Sequence, residues 1–198
     1  MRTGRPREFD ADKALDKAMR VFWNKGYEGA SLPDLTRAMG INRPSLYAAF
    51  GNKEQLFRKV LDRYGQPGGP ISSAGNPLEE PTARAVARRM LNMTVEILTC
   101  PKNPRGCLLI QGALVCGSDA EPIRKELVNR RKQQEARLKK RFQLAAEQGD
   151  LPAGADPAEL ARYIATVTAG MSIQAANGAS RKELQSIADT AMRAWPEK

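Results

Sequence analysis

Residues 31–56, SLPDLTRAMGINRPSLYAAFGNKEQL, constrain this chain more than any other stretch. Two short amphipathic segments flank Gly40, and glycine alone enters the left-handed conformation of a sharp post-helical turn without steric cost. With Gly40 as the turn, Leu35 and Met39 fall on the inner side of the first segment. Ile41 closes the turn, and Leu46 and Ala49 form the inner side of the second. That is the spacing of a helix-turn-helix. Each helix carries its own start signal. Ser31 caps the first, and Asp34 three residues on makes a near capping box with Asp in place of Glu or Gln. Asn42 caps the second and Asn52 the helix that follows. Pro33 and Pro44 sit in first turns, where the amide that proline lacks would be unpaired anyway. The second helix then presents Arg43, Ser45 and Tyr47 on its early, outward positions. Those residue types reach base edges and phosphates, and such a helix fits the major groove of duplex DNA.

Around this unit the chain reads as helical throughout, with no convincing strand and no internal repeat. Asp10 caps a first helix whose apolar positions Leu15, Ala18, Met19, Phe22 and Trp23 recur at three and four residues, and Gly26 ends it. A fourth helix from Asn52 carries Leu56, Val60, Leu61 and Tyr64. The segment GQPGGPISSAGNPLEEP, from Gly65, is a linker or loop by its Gly, Pro and Ser content. Longer helical patterns follow at 82–99, 122–147, 157–176 and 180–195, with a short apolar helix, CLLIQGALVCG, starting at Cys107. The expected organisation is an all-α fold in two parts. Residues 1–52 form a helix-turn-helix DNA-binding domain with a basic arm, and residues 53–198 form a larger helical ligand-binding and dimerisation domain. Residues 53–64 are the connector helix.

Charge and composition narrow the function. The net charge is +10, and residues 1–64 hold 13 Lys/Arg against 8 Asp/Glu, so half the excess lies in the first third. A basic balance argues for an anionic partner, not for a fold. Histidine is absent, which removes the commonest metal ligand and the commonest general acid/base. No glycine-rich phosphate loop, zinc pattern or nucleophile elbow is present, so no catalytic site, metal or cofactor is expected. No apolar run is long enough to span a membrane, and MRTGRPREFD has no apolar core of a signal peptide. Three cysteines, Cys100, Cys107 and Cys116, without a disulfide-framework pattern point to a reducing cytoplasm.

Over residues 8–64 the pattern resembles the TetR family of bacterial transcription regulators. The resemblance is carried by WNKGYEGAS, LTRAMGINRPSLYAAF and GNKEQLF. Beyond Gly65 only helix number and length match. The resemblance implies an all-α homodimer, a near-palindromic double-stranded DNA operator, and a small-molecule inducer of unidentified chemistry that releases a repressor. It also implies dimerisation through the last two long helices. Carried residue by residue, it places Arg43, Pro44, Ser45 and Tyr47 against DNA and makes Lys53 a phosphate contact. Ser31 and its helix N-terminus would hold another phosphate through free amides. Ala48 stands where the family often has histidine, so one backbone contact is expected to be missing.

Each assignment has a plainer reading. Tyr47 packs equally well at a helix–helix seam, and Arg43 serves as a solvated charge near a cap. Arg2, Arg5 and Arg7 enter a minor groove or form a solvated tail. The nine Lys/Arg of residues 124–141 are a second nucleic-acid surface or, more simply, the wet face of an amphipathic helix. Cys107 opens a helix near Lys102 and Arg105, a setting that makes a thiolate more available. PRGCLLI also resembles TetR-like regulators that sense electrophiles or oxidants through a cysteine at this place. The plainer reading is a small buried residue. Candidate ligand contacts are Met90, Met93, Ile97, Leu109, Ile110, Leu127, Tyr163, Val167 and Met171. The dimer seam would use Leu160, Ile164, Val167, Met171, Leu184, Ile187, Ala191 and Trp195. The rival function is a helical nucleic-acid-binding or adaptor protein without sequence preference.

Overall fold

A computed structural model describes residues 9–66, 69–70 and 75–196. Among these residues all regular structure is helical. The elements are α1 (Ala11–Gly29), α2 (Leu32–Met39), α3 (Arg43–Phe50), α4 (Lys53–Gly65), α5 (Ala83–Leu98), α6 (Leu108–Gln111), α7 (Glu121–Glu147), α8 (Pro157–Ala176) and α9 (Arg181–Arg193). Short 3-10 turns precede α5 and α7, at Pro77–Glu79 and Ser118–Ala120. None of these helices is long and apolar enough to cross a membrane. The caps are the ones the sequence specifies. Asp10, Ser31, Asn42 and Asn52 each accept a first-turn amide, and Gly40 takes φ 73° and ψ 30°.

Two apolar cores organise the chain. The first gathers Phe22, Trp23, Leu35, Leu46, Phe50, Phe57 and Tyr64 from α1–α4, and it is completed by Leu108, Leu109, Ala113, Ile123 and Leu127 from beyond the loop. The second joins α5, α7, α8 and α9 around Leu91, Phe142, Ile164, Met171, Leu184 and Trp195. Helix α4 therefore belongs to the first core while leading toward the second.

Gly26 ends the regular course of α1 as expected, at φ 70° and ψ 177°, and a further short turn continues to Gly29. The break frees the Tyr27 amide from the helical ladder, and it donates instead to Gly112 O at 2.7 Å. Three other expectations are corrected. Ala49 is exposed, and Phe50, 5% exposed, takes the inner position one residue later. The helix expected over 107–117 is only Leu108–Gln111, and Leu114 and Val115 beyond it stand 55% and 91% exposed. The chain leaves the helical course at Gly112, whose backbone is wedged so tightly that a Cβ there would lie 3.2 Å from both Leu127 and Phe57. Finally, Ile164, Met171, Leu184, Ala191 and Trp195 are buried within the chain's own second core. They are not available to a second copy. Leu160, Val167 and Ile187 pack against the same core. The outward face of α8 carries Thr166, Gly170 and Ile173 instead, with Ile173 43% exposed.

Candidate nucleic-acid interface and internal cavity

Helix α3 is amphipathic in a way that leaves one side unspent. Leu46 and Phe50 turn inward and are buried. Residues three and four apart share a helical face, so Arg43, Pro44, Tyr47 and Ala48 line the other side, and all four are exposed. Tyr47 is 47% exposed, which removes the reading of a packed seam residue. Ser45 is half-buried, its amide donated to Asn42 Oδ1 at 2.8 Å. Arg43 has no ion pair among the described residues. Beneath the helix, Lys59 donates to Ala49 O at 3.1 Å and lies over the Phe50 ring, placing a cation at the C-terminal end of α3, where the helix dipole favours it. The arm residues Arg2, Arg5 and Arg7 lie outside the described residues.

Lys53 opens α4. Its ammonium sits 4.6 Å above the Tyr27 ring and donates to Glu28 O at 3.5 Å, and partial burial lowers its pKa from the ordinary lysine value. Ser31 is more committed than the sequence implies. Its hydroxyl accepts the Asp34 amide and donates to the Asp34 carboxylate at 2.7 Å, while its own amide also donates to that carboxylate. Pro33 has no amide, so Leu32 supplies the only first-turn donor of α2 that the cap leaves unused among the described residues. Lys25 meets the same carboxylate at 2.8 Å.

Asp34 is consequently held down at about 2, from an ordinary 3.8, first by the Lys25 hydrogen bond and then by Ser31. A depressed folded pKa makes the cap whole above the unfolded value and loses it as pH falls through the folded one. A carbon-13 carboxyl titration should place the Asp34 midpoint near 2. A midpoint at the ordinary value would show that the Lys25–Asp34–Ser31 cluster opens in solution.

A cavity of about 1090 Å³ lies between α4, α5, α6, α7 and α8. Of the residues expected to line a pocket, Met90, Met93, Ile97, Leu109 and Ile110 do so. Leu127 is buried in the first core and Met171 in the second. Tyr163 and Val167 pack against the second core, with the Tyr163 hydroxyl turned to Ala191 O. Periodicity puts all nine on inward faces but does not say which inward face borders a void. The polar part of the wall comes from α7, through Gln133, Gln134 and Arg137, and from α8 through Thr168 and Ser172. Arg130, also on the wall, is spent on Asp62 at 2.6 Å and Glu126 at 2.8 Å. Cys107 is half-buried and lines the cavity.

The surroundings of Cys107 differ from those expected. Neither Lys102 nor Arg105 reaches the cavity wall, and Arg105 points to Ala179 O at 3.4 Å. The sulfur meets instead the hydroxyl of Tyr64, which donates to Sγ at 3.4 Å, and a different cation, Arg131 of α7, interacts with it electrostatically. Sequence reading placed Tyr64 only on the inner side of α4. A contact across 43 residues leaves no periodic trace that would have revealed it.

The first helices and the loop before the cavity are laced together. Trp23 Nε1 donates to Gly106 O at 3.0 Å and Arg20 to Lys102 O at 2.8 Å, and the Glu28 carboxylate accepts the Gly117 amide.

Comparison with known proteins gives a consistent result over the whole chain. Residues 14–60 match the profile of bacterial regulatory proteins of the tetR family, and residues 85–192 match a tetracyclin repressor-like C-terminal domain. The HTH-type transcriptional repressor ComR of Escherichia coli K12 is 39% identical over 194 residues, spanning 98% of this chain and 92% of the relative. A cysteine mutant of the TetR family transcriptional regulator CifR, solved with 26-base-pair double-strand operator DNA, is 43% identical. It superposes with a TM-score of 0.91 and covers 97% of this chain and 100% of that one. A TetR transcriptional regulator from Rhodococcus sp. RHA1 is 41% identical over 93% of this chain and 98% of its own, with a TM-score of 0.62.

Proposed function

Because the chain belongs to the tetR family of bacterial regulatory proteins, we propose that it is a repressor that binds a near-palindromic operator as a homodimer and is released by a small molecule. The family is one of transcription regulators, not enzymes. The observation that carries the proposal is the outward side of α3. Arg43, Pro44 and Tyr47 are exposed while Leu46 and Phe50 hold the helix from behind. ComR is named a repressor and CifR was solved on operator DNA, and the same mode of action is extended here to this chain.

In a two-fold dimer the two α3 helices must stand about 34–36 Å apart to enter successive major grooves. A second copy would meet this one across the outward face of α8, where Ile173 is exposed, rather than across the buried side read from periodicity. The inducer site is the cavity. Its wall includes Leu61, Asp62 and Tyr64 of α4, the same helix whose first turn holds Lys53 near the DNA face. An occupant acts only to the extent that it binds the DNA-free arrangement more tightly than the DNA-bound one. Apolar Met90, Met93 and Ile97 favour an apolar body, and Cys107 on the same wall is the sensor for an electrophilic effector.

Selection of bound fragments from genomic DNA with purified protein tests the main reading. A palindromic site should emerge, bound roughly 10³-fold or more tightly than random DNA. Equal binding to every sequence would favour a non-specific nucleic-acid-binding adaptor. For the sensor, a thiol-directed electrophile should release operator from the native protein but not from Cys107→Ser. Equal release from both leaves Cys107 a packing residue.

A further inference from the structure

A circuit of four residues starts on the cavity wall, at Tyr64 and Cys107, and runs into the DNA-binding helices. Tyr64 is 0% exposed, and its hydroxyl donates to Cys107 Sγ at 3.4 Å while the Leu108 backbone amide approaches the same oxygen. Its ring stands edge-on to Trp23, with centroids 4.9 Å apart and planes at 86°. Trp23 in turn donates its indole N–H to Gly106 O at 3.0 Å, in the residue next to Cys107. The circuit Cys107–Tyr64–Trp23–Gly106 thus closes on itself and ties the α6 cap to both α4 and α1. Phenylalanine would fill the same space at position 64. The hydroxyl adds only a polar group that is buried and must be satisfied by a neighbour.

Resting on the reading of Cys107 as the electrophile sensor, we infer that Tyr64 is the positioning residue through which modification of Cys107 moves the DNA-binding helices. The covalent step is a substitution at carbon. The sulfur forms an S–C bond, the bond from that carbon to its leaving group breaks, and the thiol proton passes to solvent. The product is a thioether, an acceptor as weak as the thiol it replaces, but its new bulk on the cavity wall drives the sulfur away from the Tyr64 hydroxyl. The Tyr64 hydroxyl loses its setting but remains a donor, because burial and the neighbouring sulfur push its pKa well above the ordinary tyrosine value. An unsatisfied buried hydroxyl is costly, and the route to a new partner is displacement of the C-terminal end of α4. Trp23 follows through the ring contact, so α1 and α4 shift relative to the segment that carries Gly106.

The test uses full-length protein in which Cys100 and Cys116 are replaced by serine, leaving Cys107 as the single thiol. Iodoacetamide is the probe, and iodide is its leaving group. Adduct formation is followed by mass spectrometry, and affinity for the selected operator is measured before and after. Alkylation should weaken operator binding by about tenfold or more when Tyr64 is present. With Tyr64→Phe carrying the adduct to the same extent, the ratio of the two affinities should stay close to one. Release from alkylated Tyr64→Phe equal to that of the parent overturns the role of Tyr64 and leaves the sensor intact. Retention of DNA by the alkylated parent overturns the sensor and, with it, this inference. A second measurement does not depend on how Tyr64→Phe folds. Hydrogen exchange of the parent should rise on alkylation in residues 53–65 and 23–29. Unchanged protection in both segments overturns the relay.

Discussion

Replacing Phe57 by alanine should lower the unfolding free energy by about 3–5 kcal/mol. Phe57 is 0% exposed and meets two other rings edge-on, Phe22 with centroids 4.8 Å apart and Tyr27 at 5.2 Å. Such pairs contribute about 0.5–1.5 kcal/mol each beyond the area they bury. The tip of the ring also closes against Gly112, the point at which the chain after α6 leaves its helix. Truncation therefore opens a void where α1, α4 and α6 converge, and close-packed neighbours relax only partly into it. Native stabilities are about 5–15 kcal/mol, so the loss is a large share of the whole. Denaturant unfolding at matched protein concentration measures it. A loss below about 1 kcal/mol would mean that the three helices collapse onto the space. Because Lys53 rests on the Tyr27 ring, operator affinity should fall in the same variant.

The second large effect is on recognition. Arg43→Ala should reduce discrimination at one base position of each half-site by about 1–3 kcal/mol, the worth of a bidentate contact to guanine. The premise is structural: Arg43 is exposed on the first turn of α3 with no ion pair among the described residues to hold it back. Lys53→Ala supplies the contrast. A phosphate contact carries no base information, so its loss should weaken binding on all sequences and flatten the salt dependence by about one unit of slope. Binding to operator and to single-base variants over a range of salt separates the two. Equal losses for Arg43→Ala on operator and random DNA would remove it from base reading. An unchanged slope for Lys53→Ala would remove it from the phosphates.

Local chemistry made much of this legible. Caps are written in single residues, so Asp10, Ser31, Asn42, Asn52 and the Gly40 turn were readable one by one. The exposed side of α3 followed from its capped start and short length. What stayed hidden depends on contacts between distant segments. Ala49 and Phe50 are adjacent apolar residues, and only the packing of Phe9 and the first core on Phe50 decides between them. The apolar run Leu108–Cys116 reads as a helix because nothing in it shows that the Gly112 carbonyl is claimed by Tyr27. Inward positions of α8 and α9 look alike whether they face a twin or their own neighbours, and only the fold shows that Ile164, Met171, Leu184 and Trp195 are filled by the chain's own second core. The setting of Cys107 is hidden for the same reason: Lys102 and Arg105 are close in sequence, whereas the groups that act on the sulfur, Tyr64 and Arg131, come from distant helices.

The first core draws Leu108, Leu109, Ala113, Ile123 and Leu127 from beyond the loop, and the Gly26 break commits the Tyr27 amide to Gly112. Chimeras that exchange operator specificity by splicing near residue 65 would cut through this shared interior. The transferable module is discontinuous: the leading helices travel with the stretch from about Lys102 to Leu127, and a graft lacking that stretch would expose a bare apolar floor and aggregate.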